Sequence, residues 1–246
     1  MEILNKLKDK IKGFVDSRVQ SIRNNQQQLQ QAQFSYAQIS NLFSKDHFIP
    51  FSAWAISPET IHHVLNDIQI NKREFIVEFG AGASTFYIAK LIKLHNLDAR
   101  FNSVESNPEW ISTLRYQLKA YGLDEYVNFI QVDLEPISSN FLYKSQKCWY
   151  DLEKVSSLVQ GTNKIDCILV DGPFGGITPY ARYSAVPFLR QRLADNFGIF
   201  LDDIGRQEEW EIAREWRKLL NCQIQFHGKH AYLFSHSDFD IAPLKI

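Results

Sequence analysis

Charge of one sign is what this chain of 246 residues most conspicuously lacks: 27 basic and 28 acidic side chains leave a formal net charge of −1. No basic face of the kind that recruits nucleic acid is expected from such a balance. Long apolar runs are missing as well, and none approaches the ~18 residues that suggest a membrane span. Cysteine is scarce: Cys148, Cys167 and Cys222 lie far apart with no C-x-x-C pair, which argues against a disulfide framework and makes them packing residues. The opening Met1-Glu2-Ile3-Leu4-Asn5-Lys6 has no apolar core of a secretory signal, so a cytoplasmic setting is the simplest expectation. Two catalytic signatures are also missing, the G-x-S-x-G elbow of hydrolases and the G-x-x-x-x-G-K-[ST] loop of nucleotide triphosphatases. What is present, 45% hydrophobic and 22% charged residues, suits one globular domain with an appendage.

The appendage is residues 1–49. Ile3, Leu4, Leu7, Ile11, Phe14, Val15, Val19 and Ile22 recur at helical spacing between lysines, which predicts an amphipathic helix that needs something to lie against. The glutamine-rich run Asn24-Asn25-Gln26-Gln27-Gln28-Leu29-Gln30-Gln31 continues helical propensity without an apolar face, and is read as helix rather than connector. The helix could serve homo-oligomerisation, membrane-surface docking or a lid, or pack on its own domain.

From residue 50 to 246 the texture is that of a compact domain. Apolar strands are predicted at 75–79, 101–105, 127–132, 165–170 and 197–201, and helices at 57–68, 84–95, 108–121, 182–194 and 207–219. Such alternation implies an α/β fold, a mostly parallel sheet between two helical layers. Gln223-Ile224-Gln225-Phe226 and Ala231-Tyr232-Leu233-Phe234, joined across Gly228, add a C-terminal antiparallel hairpin and bring the sheet to seven strands.

Chemistry is expected beyond the carboxyl ends of the strands. The first strand runs Phe75-Ile76-Val77-Glu78-Phe79 into Gly80-Ala81-Gly82-Ala83-Ser84-Thr85, a turn whose backbone can approach a ligand closely. An acid precedes the glycines, and Thr85 stands where the last glycine of a dinucleotide fingerprint would be. The other strands also end in acid: Glu105, Asp133, Asp171 and the pair Asp202-Asp203.

On these residues the chain resembles the class I S-adenosylmethionine-dependent methyltransferases from residue 50 to about 236. The resemblance implies that Glu78, Gly80, Gly82 and Ser84 form the cofactor turn, that Glu105 takes the ribose hydroxyls, that Asp133 lies near the adenine, and that Asp171 has a functional role beside the cofactor. The chemistry agrees. A sulfonium cation is favoured near acids, a carboxylate accepts two ribose hydroxyls at once, and with no pyrophosphate to cradle, Thr85 is tolerable. Blander readings stand beside these: Glu105 as cap of the helix starting at Pro108, Gly80 and Gly82 serving the turn alone, Asp133 in a surface loop, and Asp171 as a turn residue.

For the acceptor, Asp171, Asp202 and Asp203 could converge on Mg²⁺, as in the catechol-type O-methyltransferases that this segment resembles. Those end the fifth strand in Asp-Asn, whereas Asp203 stands here. A metal-free site with Asp171 or Asp203 as general base is the alternative, and a purely structural pair a third. The segment Phe174 to Tyr183 reads as a substrate loop. Arg182 and Arg206 could meet an anionic acceptor or sit in ion pairs, His227 and His230 could supply a base or merely flank a turn, and Trp54 with His62-His63 could cover the site. The expected reaction is O-methylation of a small hydroxylated metabolite or sugar. The rivals are an NAD(P)-dependent oxidoreductase, whose ribose Glu105 would bind equally well, and a non-catalytic nucleotide-binding module.

Overall fold

A computed structural model describes residues 2–44, 47–137, 140–161, 164–236 and 238–244. The side chains of Ile3, Leu4 and Leu7, part of the apolar stripe read from the sequence, lie outside the described residues. The chain opens with one long helix, α1 (Glu2–Ser40), which runs through the glutamine-rich stretch without a break. Then follow α2 (Pro58–Ile70), β1 (Phe75–Phe79), α3 (Ala83–His95), β2 (Arg100–Glu105), α4 (Pro108–Ala120), β3 (Asn128–Gln131), β4 (Leu134–Pro136) and β5 (Cys148–Tyr150). The second half carries α5 (Leu152–Val155), β6 (Ile165–Val170), α6 (Ala185–Leu189), β7 (Leu193–Asp202), α7 (Gln207–Leu220), β8 (Gln223–Phe226) and β9 (His230–Phe234).

Seven strands form one sheet in the order β3-β2-β1-β6-β7-β9-β8. Neighbours from β3 to β7 are parallel, and β9 pairs antiparallel with both β7 and β8. The expected mostly parallel sheet with a C-terminal hairpin is therefore observed. Side chains alternate between its two faces: Ile76 of β1, Leu169 of β6 and Phe200 of β7 pack with α2, α3 and α4, whereas Val77, Val170 and Leu201 pack with α5, α6 and α7. With both faces covered, the central strands are apolar along nearly their whole length, which is why they stood out in the sequence.

Local signals fix the helix starts nearest the site. Ser57 and Asn107 cap α2 and α4, each followed by proline at the first helical position, where its missing N–H costs nothing. The cap of α4 is thus Asn107, not Glu105, and the carboxylate of Glu105 is left for other partners.

Two elements differ from expectation. The helix predicted over 182–194 is reduced to α6, Ala185–Leu189. Its apolar spacing is real, with Ala185, Val186 and Leu189 buried. Arg190–Arg192 then tightens into a single 3₁₀ turn, and Leu193 begins β7 by pairing with Ile165. The β4–β5 ribbon was not foreseen, because two segments of three residues are too short to display a period of two. Among its described side chains, α1 docks through its C-terminal end: Gln31, Ser35 and Ile39 are buried, while Ile11, Phe14, Val15, Val19 and Ile22 remain exposed.

Candidate functional site

The winding of the sheet reverses between β1 and β6, since β2 and β3 lie to one side and β7 to the other. Crevices at such a reversal open beyond the carboxyl ends of the strands. A cavity of about 510 Å³ lies there, lined by Gly80 and Ala81 after β1, Glu105 ending β2, Asp171 and Gly172 after β6, and Asp202 and Asp203 ending β7. Trp54 and Ala55 from the α1–α2 connection, Trp110 of α4 and Phe174 complete its wall.

Gly80 has φ +91°, and a Cβ on it would stand 2.7 Å from the Gly172 nitrogen. Only glycine meets both conditions, so this residue joins the ends of β1 and β6. Gly82 differs. It is extended, with φ −175°, and nothing lies within 4 Å of where its Cβ would be, leaving open space beside Ala81 for a ligand to approach the backbone.

Glu78 is fully buried and lines no part of the cavity. Its carboxylate accepts from the hydroxyls of Ser84 at 2.5 Å, Thr85 at 2.6 Å and Ser103 at 2.6 Å. Thr85 also accepts from the Gly82 N–H at 2.9 Å. The residue in place of the third fingerprint glycine therefore ties the turn to the buried acid, and Ser84 is likewise occupied in holding Glu78. Burial pushes the Glu78 carboxyl from the ordinary 4.5 up to about 7, against the three hydroxyls that pull it down. The folded carboxyl keeps its proton where the unfolded one has released it, so this group makes stability fall as pH rises through that interval. Glu78→Gln is expected to flatten the stability curve between about pH 5 and 7, as measured by denaturant melts; an unchanged curve would refute the assignment.

Glu105 faces the cavity. One carboxylate oxygen accepts from Ser106 N–H at 2.7 Å and Asn107 N–H at 2.8 Å, the other from Ala81 N–H at 3.2 Å. Three backbone donors fix the carboxylate, and the second oxygen, with one acceptor site used, has capacity left for a hydroxyl. Trp110 donates its indole N–H to the Ala81 carbonyl at 2.8 Å, so α4 braces the glycine turn; nothing in the sequence near Trp110 announced this. Asp133 is not brought to the cavity wall. It is exposed and paired with Lys154 at 2.5 Å, the pairing that holds its carboxyl below the usual range.

Asp171, Asp202 and Asp203 do converge, with oxygens within 4.8 Å of one another. The Nη2 of Arg182, whose side chain is only 4% exposed, lies 3.0 Å from Asp171 and 3.1 Å from Asp203, and its Nη1 donates to the Asp202 carbonyl at 3.1 Å. Arg206 adds a second ion pair to Asp203 at 3.0 Å. Both arginines are therefore engaged within the chain. Asp203 has φ +63°, a conformation acidic side chains tolerate better than most. The Asp202 carboxylate turns toward α2 and accepts from Thr60 Oγ1 at 3.1 Å. Burial raises the Asp171 and Asp202 carboxyls, and their carboxylate neighbours raise them further, while Arg182 opposes both effects.

Those residues fit Mg²⁺ poorly. A guanidinium already bridges two of the three carboxylates, and the third is held by a threonine hydroxyl. An amide at position 203 could not pair with two arginines, which gives the departure from Asp-Asn a physical counterpart.

Trp54 stands at the cavity mouth with its ring 5.0 Å from Phe174, and both line a second cleft of about 750 Å³ that continues past Gly175 and Arg206 toward Glu208. His62 and His63 do not cover the site: His62 contacts Ser35 of α1, and His63 is buried against His230. The cysteines are free, and among the described residues no helix is long and apolar enough to cross a membrane.

No family model and no curated protein matches the sequence. Solved structures do match in fold. The methyltransferase PaMTH1 of Podospora anserina, bound to S-adenosylhomocysteine, is 14% identical with a TM-score of 0.54, covering 85% of this chain and 88% of that one. An O-methyltransferase from Bacillus cereus, also in complex with S-adenosylhomocysteine, gives 14% and 0.52 over 85% and 89%. A precorrin-6y C5,15-methyltransferase from Geobacter metallireducens gives 13% and 0.52 over 77% and 93%. The chain shares their Rossmann-like fold.

Proposed function

We propose that this chain is an S-adenosylmethionine-dependent methyltransferase, acting on a hydroxyl of a small metabolite or sugar. The observation that carries the reading is Glu105, a carboxylate fixed by three backbone N–H groups at the rim of a cavity whose opposite wall is the Asp171 cluster. The lone pair left on its second oxygen suits a ribose hydroxyl. Glu105, Asp171 and Asp203 outnumber Arg182 and Arg206 around the cavity even with Asp202 held protonated by burial, an excess of acid that favours a cationic ligand. The extended backbone at Gly82 would meet the amino-acid tail, with Glu78 holding the turn from behind through its hydroxyl partners. Asp133 has no part in this reading.

Bound there, S-adenosylmethionine supplies a methyl group activated by positive sulfur, which leaves the chain little to do beyond alignment and proton removal. Asp171 is the group for the proton. Its carboxyl is raised above the ordinary value by burial, which makes it a better base than a solvated aspartate, while Arg182 keeps it ionised and oriented. The cleft beyond Trp54 and Phe174 is the route for the acceptor.

A panel of hydroxylated metabolites and sugars assayed with labelled methyl donor tests the reading. Transfer to at least one class of hydroxyl is expected, and the rate is expected to be the same with and without added Mg²⁺, because Arg182 takes the place of the cation. A rate that collapses without Mg²⁺ would contradict the metal-free site, and labelling confined to nitrogen or carbon acceptors would contradict O-transfer.

A further inference from the structure

The hairpin side of the sheet holds a second cluster, joined to the carboxylates through Thr60, which contacts both His230 and Asp202. His63 of α2 and His230, the first residue of β9, are fully buried, and His227 lies in the turn before β9. Their rings stack on one another: His227 and His230 are nearly parallel with centroids 4.8 Å apart, and His63 meets them edge-on at 4.7 and 5.0 Å. One ring nitrogen from each lies within 4.8 Å of the others.

The hydrogen bonds set the tautomers. Thr60 donates its hydroxyl proton to Asp202 at 3.1 Å, so at its 3.1 Å contact with His230 Nδ1 it accepts. His230 therefore carries its proton on Nδ1 and presents a bare Nε2, which lies 2.8 Å from His63 Nδ1. With that proton shared toward His230, the Nε2 of His63 is buried with no hydrogen-bond partner in the structure. Neutral imidazoles with exposed lone pairs are what a metal requires. Burial keeps them so, holding His63 down to about 2 and His230 well below its ordinary value. The contact from His230 Nδ1 through Thr60 to Asp202 has the form of an outer hydrogen bond that orients a ligating ring.

We propose that His63, His227 and His230 bind one transition-metal ion, Zn²⁺ being the ion of choice, with its fourth position open toward the cleft beneath α1. Three imidazole nitrogens are ligands for Zn²⁺ and its neighbours, whereas Mg²⁺ and Ca²⁺ want oxygen. Tetrahedral Zn–N bonds place ligand nitrogens ~3.4 Å apart, so the His63 and His230 nitrogens of that bond part slightly, and with the His63 proton moved from Nδ1 to Nε2 both His63 Nδ1 and His230 Nε2 present lone pairs to the ion. A cavity of about 240 Å³ adjoins His227 and Gly228, with Glu59 of α2 and Gln28 and Gln31 of α1 on its wall. Water or an oxygen from that wall completes the coordination. The ion joins α2, the hairpin and the docked end of α1, and through Thr60 it touches the β7 end of the carboxylate cluster.

Untagged protein dialysed against Zn²⁺ alone, then against Co²⁺ alone, tests the site. Uptake of one Zn²⁺ per chain is expected, with the visible absorption of tetrahedral Co²⁺ and a rise in the thermal midpoint as Zn²⁺ is added. His227→Gln, at the partly exposed turn, is expected to fold normally and weaken Zn²⁺ at least ten-fold; His230→Gln is expected to abolish uptake. Asp203→Asn is expected to leave Zn²⁺ affinity unchanged, which separates this site from the carboxylates. Folded wild-type protein that takes up no Zn²⁺, an octahedral Co²⁺ spectrum, or affinity unchanged in His227→Gln would overturn the proposal.

Discussion

Glu105→Ala is expected to weaken S-adenosylhomocysteine binding by more than ten-fold. The free lone pair accepting one ribose hydroxyl forms a charge-assisted hydrogen bond worth about 1.5–3 kcal/mol, and a ten-fold loss of affinity corresponds to only about 1.4 kcal/mol. The alanine variant also frees the N–H groups of Ala81, Ser106 and Asn107, so some loss of stability accompanies the loss of affinity. Glu105→Gln separates the two effects. Its amide oxygen can still accept from Ser106 and Asn107, yet its NH2 can accept neither from Ala81 nor from a ribose hydroxyl, so its affinity should fall while its thermal midpoint falls less than that of Glu105→Ala. Calorimetry on both variants checks this; wild-type affinity in Glu105→Gln would end the ribose assignment.

Arg182→Met is expected to lose about 3–5 kcal/mol of stability, the usual cost of removing one partner from a buried ion pair. The guanidinium is nearly inaccessible and serves Asp171, Asp203 and the Asp202 carbonyl together. Methionine keeps the volume and removes the charge, leaving three carboxyl groups facing one another. Arg182 opposes the upward shift of Asp171, so its loss lets that carboxyl rise further. In whatever fraction folds, the acidic limb of the turnover profile should move to higher pH, because the base ionises later. Denaturant melts and a pH–rate profile measure both. A variant as stable as the parent with an unmoved acidic limb would show that Arg182 is a bystander.

Much of the frame was legible because burial on both faces makes parallel strands read as apolar runs, and each run stops at an acid. Asp171 and Asp202-Asp203 are thus legible from the sequence as the ends of adjacent strands. The role of Glu78 is not. Of its three hydroxyl partners, Ser103 lies on β2, directly opposite in the strand register, a pairing no local spacing reveals. Arg182 was named as a partner for an anionic acceptor or for an ion pair, and only the folding of the segment after β6 decides for the latter. Asp133 lies just past β3 (Asn128–Gln131), an edge strand of the sheet. The chain there turns into the unforeseen β4–β5 ribbon, where the Asp133 carbonyl accepts from Asp151 N–H and its side chain meets Lys154. The histidines escaped for a similar reason: His63 and His230 are 167 positions apart and meet only because β9 inserts beside β7.

Calorimetric titration of the wild-type chain with S-adenosylhomocysteine, run beside an identical titration with NADH, tests the central claim most directly. Saturable binding of one S-adenosylhomocysteine per chain with no heat from NADH is the expected result. Saturable binding of NADH with none of S-adenosylhomocysteine would contradict the account and return the cavity to the oxidoreductase reading.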